Sequence, residues 1–569
     1  MRTGVLAVLA GAVAMAGGAT MGAAPGGGGG GNSGEMNVTM TVDAGKVIGA
    51  LKPVWKYCGY DEPNYTYAPN GKKLVEQFSQ AGPGPAHFRT HSLLVTGDGT
   101  PHLKWGSTNA YTEDASGKPI YNFDIIDKIF DTYEQAGSKP LVQIGFCPQA
   151  LSPHPEPYEH HWKPGDPYND IYLGWAYPPK DLDKWAGLIK AWAEHCEQRY
   201  GKAEVESWPW EVWNEPNIGY FKGTLADYCK LYDATARAMK SVDEKLRIGG
   251  PESTGPNGRA GAFLRGFLDH VAAEKTPIDL VSFHAKGSPT LYQGHVRMGI
   301  SNQLRDIDAG FSIVASYPQF KGLPIIIGES DPDGCAACQA TVYPQYGYRN
   351  GTLYAVYTAE QIARTIQLAD ERGVNLQGAV TWAFEFEDQK PFAGFRALAT
   401  NGVELPVVNT FRMLGKMIAP GAQRVSATSS ADVGLEKIRT QGVRGAPDVS
   451  ALATRDGDRV CVLVWNYHDD DVPGPTAHVA LEVKGLPVEA KGAAVTRWEV
   501  DETRGNSYTA WKKMGSPEEL TEAQRGELEK AAALAEVGEP GQTEVKDGAA
   551  TVTLDVPRQA VTLVEVRWK

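Results

Sequence analysis

The sequence predicts an α/β chain: a (β/α)8 TIM barrel followed by an all-β sandwich. Short apolar runs alternate with helical patterns from about residue 47 to residue 417, which implies right-handed crossovers and a parallel sheet. Eight such units over roughly 370 residues fit a closed barrel with insertions. After about residue 421 the texture changes to short Val- and Thr-rich runs separated by Gly, Pro and Asp, the patterning of a sandwich. An open doubly wound sheet is the alternative, but no Gly-rich phosphate fingerprint follows any early strand.

The elements read in order. Residues 1–24 carry Arg2, an apolar run and small residues up to Ala24, the pattern of a cleaved signal peptide and of a secreted or periplasmic protein. Residues 25–34 form a Gly-rich linker. Residues 35–46 supply a strand that joins the sandwich, centred on 39–42. The barrel spans 47–420, with strands expected at 47–57, 85–91, 140–146, 209–214, 246–250, 278–284, 324–329 and 377–384. Between them, 182–200 puts Trp185, Leu188, Ile189 and Trp192 on one helical side, and 354–372 repeats the pattern with Ala355, Ala359, Ile362 and Ile366. The sandwich spans 421–569, with strands at 460–466, 478–483, 494–500, 550–554 and 561–566. A helix is expected inside it at about 516–536, with Ser516 as N-cap, Pro517 at the first helical position and Glu519 completing a capping box.

Composition narrows the function. The chain has 569 residues, 42% hydrophobic and 22% charged, which is ordinary globular usage. The 55 basic residues against 68 acidic ones leave a net charge of −13 with no long basic run, so nucleic acid is not an expected partner. Mean hydropathy is −0.33, and beyond the N-terminus no apolar run is long enough for stable membrane insertion. Seven cysteines are too few for a disulfide-built scaffold. Cys335 and Cys338 form C-A-A-C, read as a loop disulfide after export rather than a redox motif. No His or Cys cluster sits at metal-ligand spacing, so no metal or other cofactor is expected.

The string Trp210-Glu211-Val212-Trp213-Asn214-Glu215-Pro216-Asn217 ends the fourth expected strand. Strand C-termini face the active site of such barrels. Glu215, flanked by an amide and aromatic rings, is placed to protonate a glycosidic oxygen, a task that needs a pKa raised by partial burial. Asn214 could bond a ring hydroxyl next to the reacting carbon. A partner carboxylate is required, and Ile325-Ile326-Ile327-Gly328-Glu329-Ser330-Asp331-Pro332 offers Glu329 at the end of strand seven, opposite strand four. Asp331 is the rival acid.

In these strings the chain resembles glycoside hydrolase family 39, whose members include β-xylosidases and α-L-iduronidases. Matching segments are Phe88-Arg89-Thr90-His91-Ser92-Leu93-Leu94, Trp213-Asn214-Glu215-Pro216, Leu246-Arg247-Ile248-Gly249-Gly250-Pro251, Ser282-Phe283-His284-Ala285-Lys286-Gly287 and Glu329-Ser330-Asp331-Pro332. The resemblance implies a retaining mechanism with Glu215 as acid/base and Glu329 as nucleophile. Arg89, ending strand two, is then the candidate cation that keeps Glu329 ionised, and His91 and His284 are candidate donors to sugar hydroxyls. Trp382, ending strand eight, is the preferred stacking platform; Trp105, Trp175, Trp213 and Phe384 are further candidates.

The substrate is expected to be an oligosaccharide or other glycoside cleaved from its end, with β-D-xylosidase as the first reading. Lys286 points elsewhere. Iduronidases of the family carry a lysine two residues after the histidine, whereas xylose has no group at C5 for it to meet, so an acidic sugar is the alternative. Arg396 is a candidate second cation. Two other classes stay open: a non-catalytic carbohydrate-binding barrel, and an endo-acting enzyme with an open cleft. Sequence leaves the oligomeric state undetermined.

Overall fold

The computed structural model describes residues 35–335, 338–385, 389–395 and 398–568. The expected signal peptide and Gly-rich linker lie outside the described residues, as does Arg396.

The first unit is a parallel barrel with helices outside it. Its strands in chain order are Tyr57–Tyr60, His87–Thr90, Lys139–Ile144, Pro209–Val212, Arg247–Ser253, Leu280–Lys286 and Pro324–Asp331, numbered one to seven below. Strand eight comes in two pieces, Asn375–Ala379 and Thr381–Trp382. The first piece pairs with strand seven and the second with strand one, so the interruption at Val380 closes the circuit. Strand seven contains three consecutive isoleucines, Ile325 to Ile327, all without exposed surface, as a strand covered on both faces requires. Outside it the helix Leu182–Tyr200 buries Trp185, Leu188, Ile189 and Trp192. Asp181 caps its N-terminus by accepting from the Asp183 and Lys184 amides.

One boundary differs from expectation. Residues 47–50 do not start the barrel. They end a strand, Met36–Ala50, whose partners lie in the C-terminal unit: Val47 pairs with Val425 and Ala50 with Gln423. Val47 and Ile48 are half exposed. The apolar residues suggested a buried barrel strand, but register shifts after Asp43 and after Val47 carry this stretch along the rim of the other sheet. The first barrel strand is the short segment Tyr57–Tyr60.

The C-terminal region is built mainly of strands. Met36–Ala50 and eight strands between Gln423 and Trp568 form one closed hydrogen-bonded circuit. Burial alternates with period two, so in Ala477–Lys484 the side chains of Ala477, Val479, Leu481 and Val483 point inward. The N-terminal strand fits between Gln423–Ser429 and Ala477–Lys484, antiparallel to one and parallel to the other. The strands Gln423–Ser429, Asp448–Asp456 and Gly541–Lys546 had no distinct sequence signal.

The inserted helical segment also differs. It holds two helices, Ser507–Lys513 and Glu522–Ala532, and Ser516 caps neither. Thr521 is the N-cap, in a reciprocal capping box with Gln524. Ser516 has a left-handed backbone, φ 56°, which stops a helix from starting there, and the alternative T-x-x-Q box three residues past Glu518 takes over. This segment packs Tyr508 and Trp511 against Phe392, on the loop that follows strand eight. Cys335 and Cys338 are bonded to each other in the loop after strand seven. The buried Arg349 donates to the carbonyls of both. Among the described residues no helix is long and apolar enough to cross a membrane.

Candidate active site

Parallel pairing brings the strand ends to one rim. Register sets which side chains are neighbours: Glu329 pairs with His284 and Asp331 with Lys286 across strands seven and six. Gly59 of strand one lies between Arg89 and Trp382. A Cβ on Gly59 would fall 2.2 Å from the Trp382 ring, so glycine there makes room for the indole.

After strand four the chain turns sharply. Trp213 and Glu215 both have positive φ, 72° and 42°, which is uncommon for residues with side chains. The turn is held at three points. The Trp213 amide donates to the Ile144 carbonyl at 3.0 Å, its indole N–H to the Tyr220 carbonyl at 2.8 Å, and the Glu215 amide to the Glu252 carbonyl at 2.9 Å. The Glu215 carboxylate therefore points at the rim, partly exposed, with His284 Nδ1 3.0 Å from its Oε1.

Glu329 faces it. One carboxylate oxygen of each, together with a His284 nitrogen, lies within 4.8 Å of the others. Glu329 is surrounded by cationic groups: Lys286 Nζ at 2.7 Å, Arg89 Nη1 at 3.2 Å and His284 Nδ1 at 3.7 Å, with His91 Nε2 at 3.4 Å. Burial alone would favour the neutral acid, but Lys286 and His284 hold its pKa well below the usual carboxylate range.

Arg89 lies underneath, fully buried. It donates through Nε to Glu211, through Nη1 to His91 at 2.9 Å and through Nη2 to the Asn214 carbonyl oxygen at 2.9 Å. Glu252 completes its surroundings, 3.4 Å from Nη2. Burial opposes the charge, yet Glu211, Glu252 and Glu329 together raise the Arg89 pKa. His91 accepts from Arg89 at Nε2, so its Nδ1 carries the proton and donates to Asp61 at 3.0 Å. His284 sits between carboxylates, Glu215 at Nδ1 and Glu252 2.7 Å from Nε2. Burial pulls its pKa down, but Glu329, Glu215 and Glu252 raise it to about 9.

All eight residues singled out from sequence therefore meet in one place: Arg89, His91, Asn214, Glu215, His284, Lys286, Glu329 and Trp382. Trp382 lies against His91, with Arg89 and Lys286 5.3 and 6.0 Å from its ring centre. Lys286 reaches both Glu329 and the rival acid Asp331, so Asp331 serves as the lysine's second anchor. Of the other aromatic candidates, Trp105 and Trp175 line an adjoining pocket with His91, Phe146, His160 and Tyr220. Trp213 and Phe384 are packed in the core, Phe384 stacked on Tyr60. Glu215, His284 and Glu329 are spaced to hold a metal ion. However, Lys286 Nζ, 2.7 Å from Glu329, already sets a cation against the carboxylate that such an ion would need.

Sequence reading missed Asp61, Lys104, Glu211 and Glu252. Asp61 and Lys104 form a buried ion pair at 2.9 Å on the wall of the pocket beside His91. Glu211 lies inside the W-E-V-W-N-E-P string, and Glu252 directly follows Gly249-Gly250-Pro251. A charged residue in or just after an apolar barrel strand was the available signal.

The close approach of strands five and seven gives a test. A Cβ on Gly328 would fall 1.9 Å from Glu252 Oε2. Gly328→Ala should therefore cost about 1–3 kcal/mol of stability, the usual range for overpacking, measured by chemical denaturation. A neutral substitution would mean that the Glu252 carboxyl is free to move aside.

Comparison with known proteins gives the family. The family model described as glycosyl hydrolases family 39 matches residues 38–546. A β-xylosidase of Geobacillus stearothermophilus is 28% identical over 470 residues, covering 80% of this chain and 82% of that protein. An α-L-iduronidase of Canis lupus familiaris is 24% identical over 516 residues, covering 84% and 70%. The crystal structure of a monomeric β-xylosidase from Caulobacter crescentus CB15 shares the fold, with a TM-score of 0.73 at 23% identity over 93% of this chain and 99% of that one. With the match running through both the barrel and the β-rich unit, the chain belongs to glycosyl hydrolases family 39.

Proposed function

We propose that the protein is an exo-acting, retaining β-D-xylosidase. The observation that carries this is the pair Glu215 and Glu329, with carboxylate oxygens within 4.8 Å of each other and unlike surroundings. Retaining glycosidases place the two carboxyls about 5–5.5 Å apart, whereas inverting enzymes need about 6.5–9.5 Å to admit a water. Glu329, held charged by Lys286 and His284, is the nucleophile. It attacks the anomeric carbon as the bond to the leaving oxygen breaks, and that oxygen takes the proton of Glu215. In the second step Glu215 takes a proton from water, whose oxygen displaces Glu329 from the same carbon. The Asn214 oxygen is engaged by Arg89, which turns its NH2 group toward a sugar hydroxyl.

Exo action is supported by the long segments between strand two and its helix, 91–123, and between strand three and its helix, 145–181, which are long enough to wall one side of the rim. Xyloside specificity is supported by β-xylosidases that are 27–28% identical over most of both chains. One observation favours a second reading, an acidic sugar. Lys286 keeps 16% of its side chain exposed where Arg89 keeps none, so it is the strand-end cation that a substrate carboxylate could reach. We further propose that the protein is exported, with a mature chain beginning near Pro25, on the pattern of residues 1–24.

Four outcomes are expected. Glu329→Ala should abolish turnover, and azide should restore it as a glycosyl azide of opposite anomeric configuration to the substrate. Glu215→Ala should keep hydrolysing nitrophenyl glycosides, whose leaving groups need little protonation, while losing alkyl glycosides. Equal loss on every leaving group would exclude Glu215 as the acid. Lys286→Met should weaken turnover of the preferred sugar by about 1.5–3 kcal/mol, the scale of a charged hydrogen bond. The panel should cover xylose, arabinose, galactose and iduronic acid glycosides. A uniform loss across that panel would assign Lys286 to Glu329 alone and remove it from substrate selection. Mass spectrometry of the protein from its native host should find a mature N-terminus near Pro25, and an intact Met1–Ala24 on a cytoplasmic protein would refute export.

A further inference from the structure

Beneath the reacting carboxylates lies a second carboxyl pair that the double displacement does not use. Glu211 ends strand four and Glu252 strand five, and neither has exposed surface. They share Arg89: Glu211 bonds its Nε, and Glu252 lies 3.4 Å from its Nη2. Glu252 touches both halves of the site. Its carbonyl fixes the Glu215 amide, its carboxylate lies 2.7 Å from His284 Nε2, and only the glycine at 328 separates it from strand seven beside Glu329.

We propose that Glu252 is a positioning residue: its carboxylate pins His284 as an imidazolium with Nδ1–H directed at Glu215, and thereby sets the pH range in which Glu215 and Glu329 can divide their roles. This rests on the reading of Glu215 as acid/base. With Glu252 2.7 Å from Nε2, Nδ1 faces the gap between Glu215 at 3.0 Å and Glu329 at 3.7 Å. The ionisable and charged groups facing this assembly come from several elements. Arg89 and His91 come from strand two and its end, and Glu211 and Glu215 from strand four and its loop. Lys286 shares strand six with His284, Glu329 and Asp331 come from strand seven, and Tyr228 comes from the helix Leu225–Val242. The directions agree with this placement. Burial and Glu252 push Glu211 toward the protonated acid. Glu252, despite burial, is held down to about 2 by Arg89, Glu211 and His284.

The sign of the effect follows. Replacing Glu252 by glutamine removes the charge that retains the second proton on His284. The rim carboxylates then lose a neighbouring cation, which makes negative charge there less favourable. The test is Glu252→Gln in the full chain, with two readouts. In 15N-histidine-labelled protein, with His284 assigned by its disappearance in His284→Gln, both ring nitrogens should be protonated at pH 7 in the unaltered protein. In Glu252→Gln, the His284 titration should fall by a unit or more. The alkaline limb of kcat/KM on xylobiose, which needs leaving-group protonation, should move up by about one pH unit, the low end for loss of a charge within 4–6 Å. Glu252→Asp, which keeps the charge, should restore both toward the original values.

A neutral His284 at pH 7 in the unaltered protein would overturn the proposal, as would a titration that ignores Glu252→Gln. If Glu252→Gln does not fold, the titration in the unaltered protein and in Glu252→Asp decides. The spectroscopic readout needs no substrate. Failure of xylobiose hydrolysis would therefore count against the proposed activity and leave the test of Glu252 intact.

Discussion

Arg89 carries its guanidinium into the barrel to a place with no exposed surface, and most of the site is arranged around that charge. An uncompensated buried cation is costly, by several kcal/mol even after relaxation. The compensation comes from three strands: Glu211 on four, Glu252 on five and Glu329 on seven. One of those carboxylates reaches the rim and is proposed to react, while the other two stay below. The guanidinium also orients the Asn214 amide and fixes the tautomer of His91, so one side chain engages five others.

The same network makes the two rim carboxylates unlike. Glu329 is enclosed by Lys286, Arg89, His91 and His284, with Asp331 holding the lysine from behind. Glu215 receives one close contact, from His284, on a turn that leaves it partly exposed. Unlike environments, rather than unlike residue types, are what let two glutamates take opposite roles. The barrel fold supplies this cheaply, because adjacent parallel strands end at one rim and each can contribute a differently charged neighbour.

One helix links the β-rich unit to this rim. Thr352–Arg372 bonds Ser330, next to Glu329, through Gln361, and sends Arg364 to Asp432 and Asp448 beyond the barrel. From the opposite side of the same unit, Tyr508 and Trp511 brace the loop after strand eight. Packing against the β-rich unit thus reaches the strands that carry Glu329 and Trp382.

Much of this was legible in the order of residues. Alternating strands and helices, three isoleucines before Glu329, and the W-N-E-P string specify a barrel and two strand-end acids, because local period and chain direction are sequence properties. The eight residues named from sequence do meet. Three things were settled only by tertiary structure. Residues 47–50 joined the other sheet, because an apolar run does not state which edge it will pair with. The inserted helices started from Thr521 and Asn506 rather than Ser516, because competing caps differ in backbone geometry that composition does not display. The charged layer of Glu211, Glu252, Asp61 and Lys104 was hidden, because a buried ion pair joins residues distant in sequence. Its members are recognisable as functional only once the closed sheet has brought them within reach of Arg89 and His91.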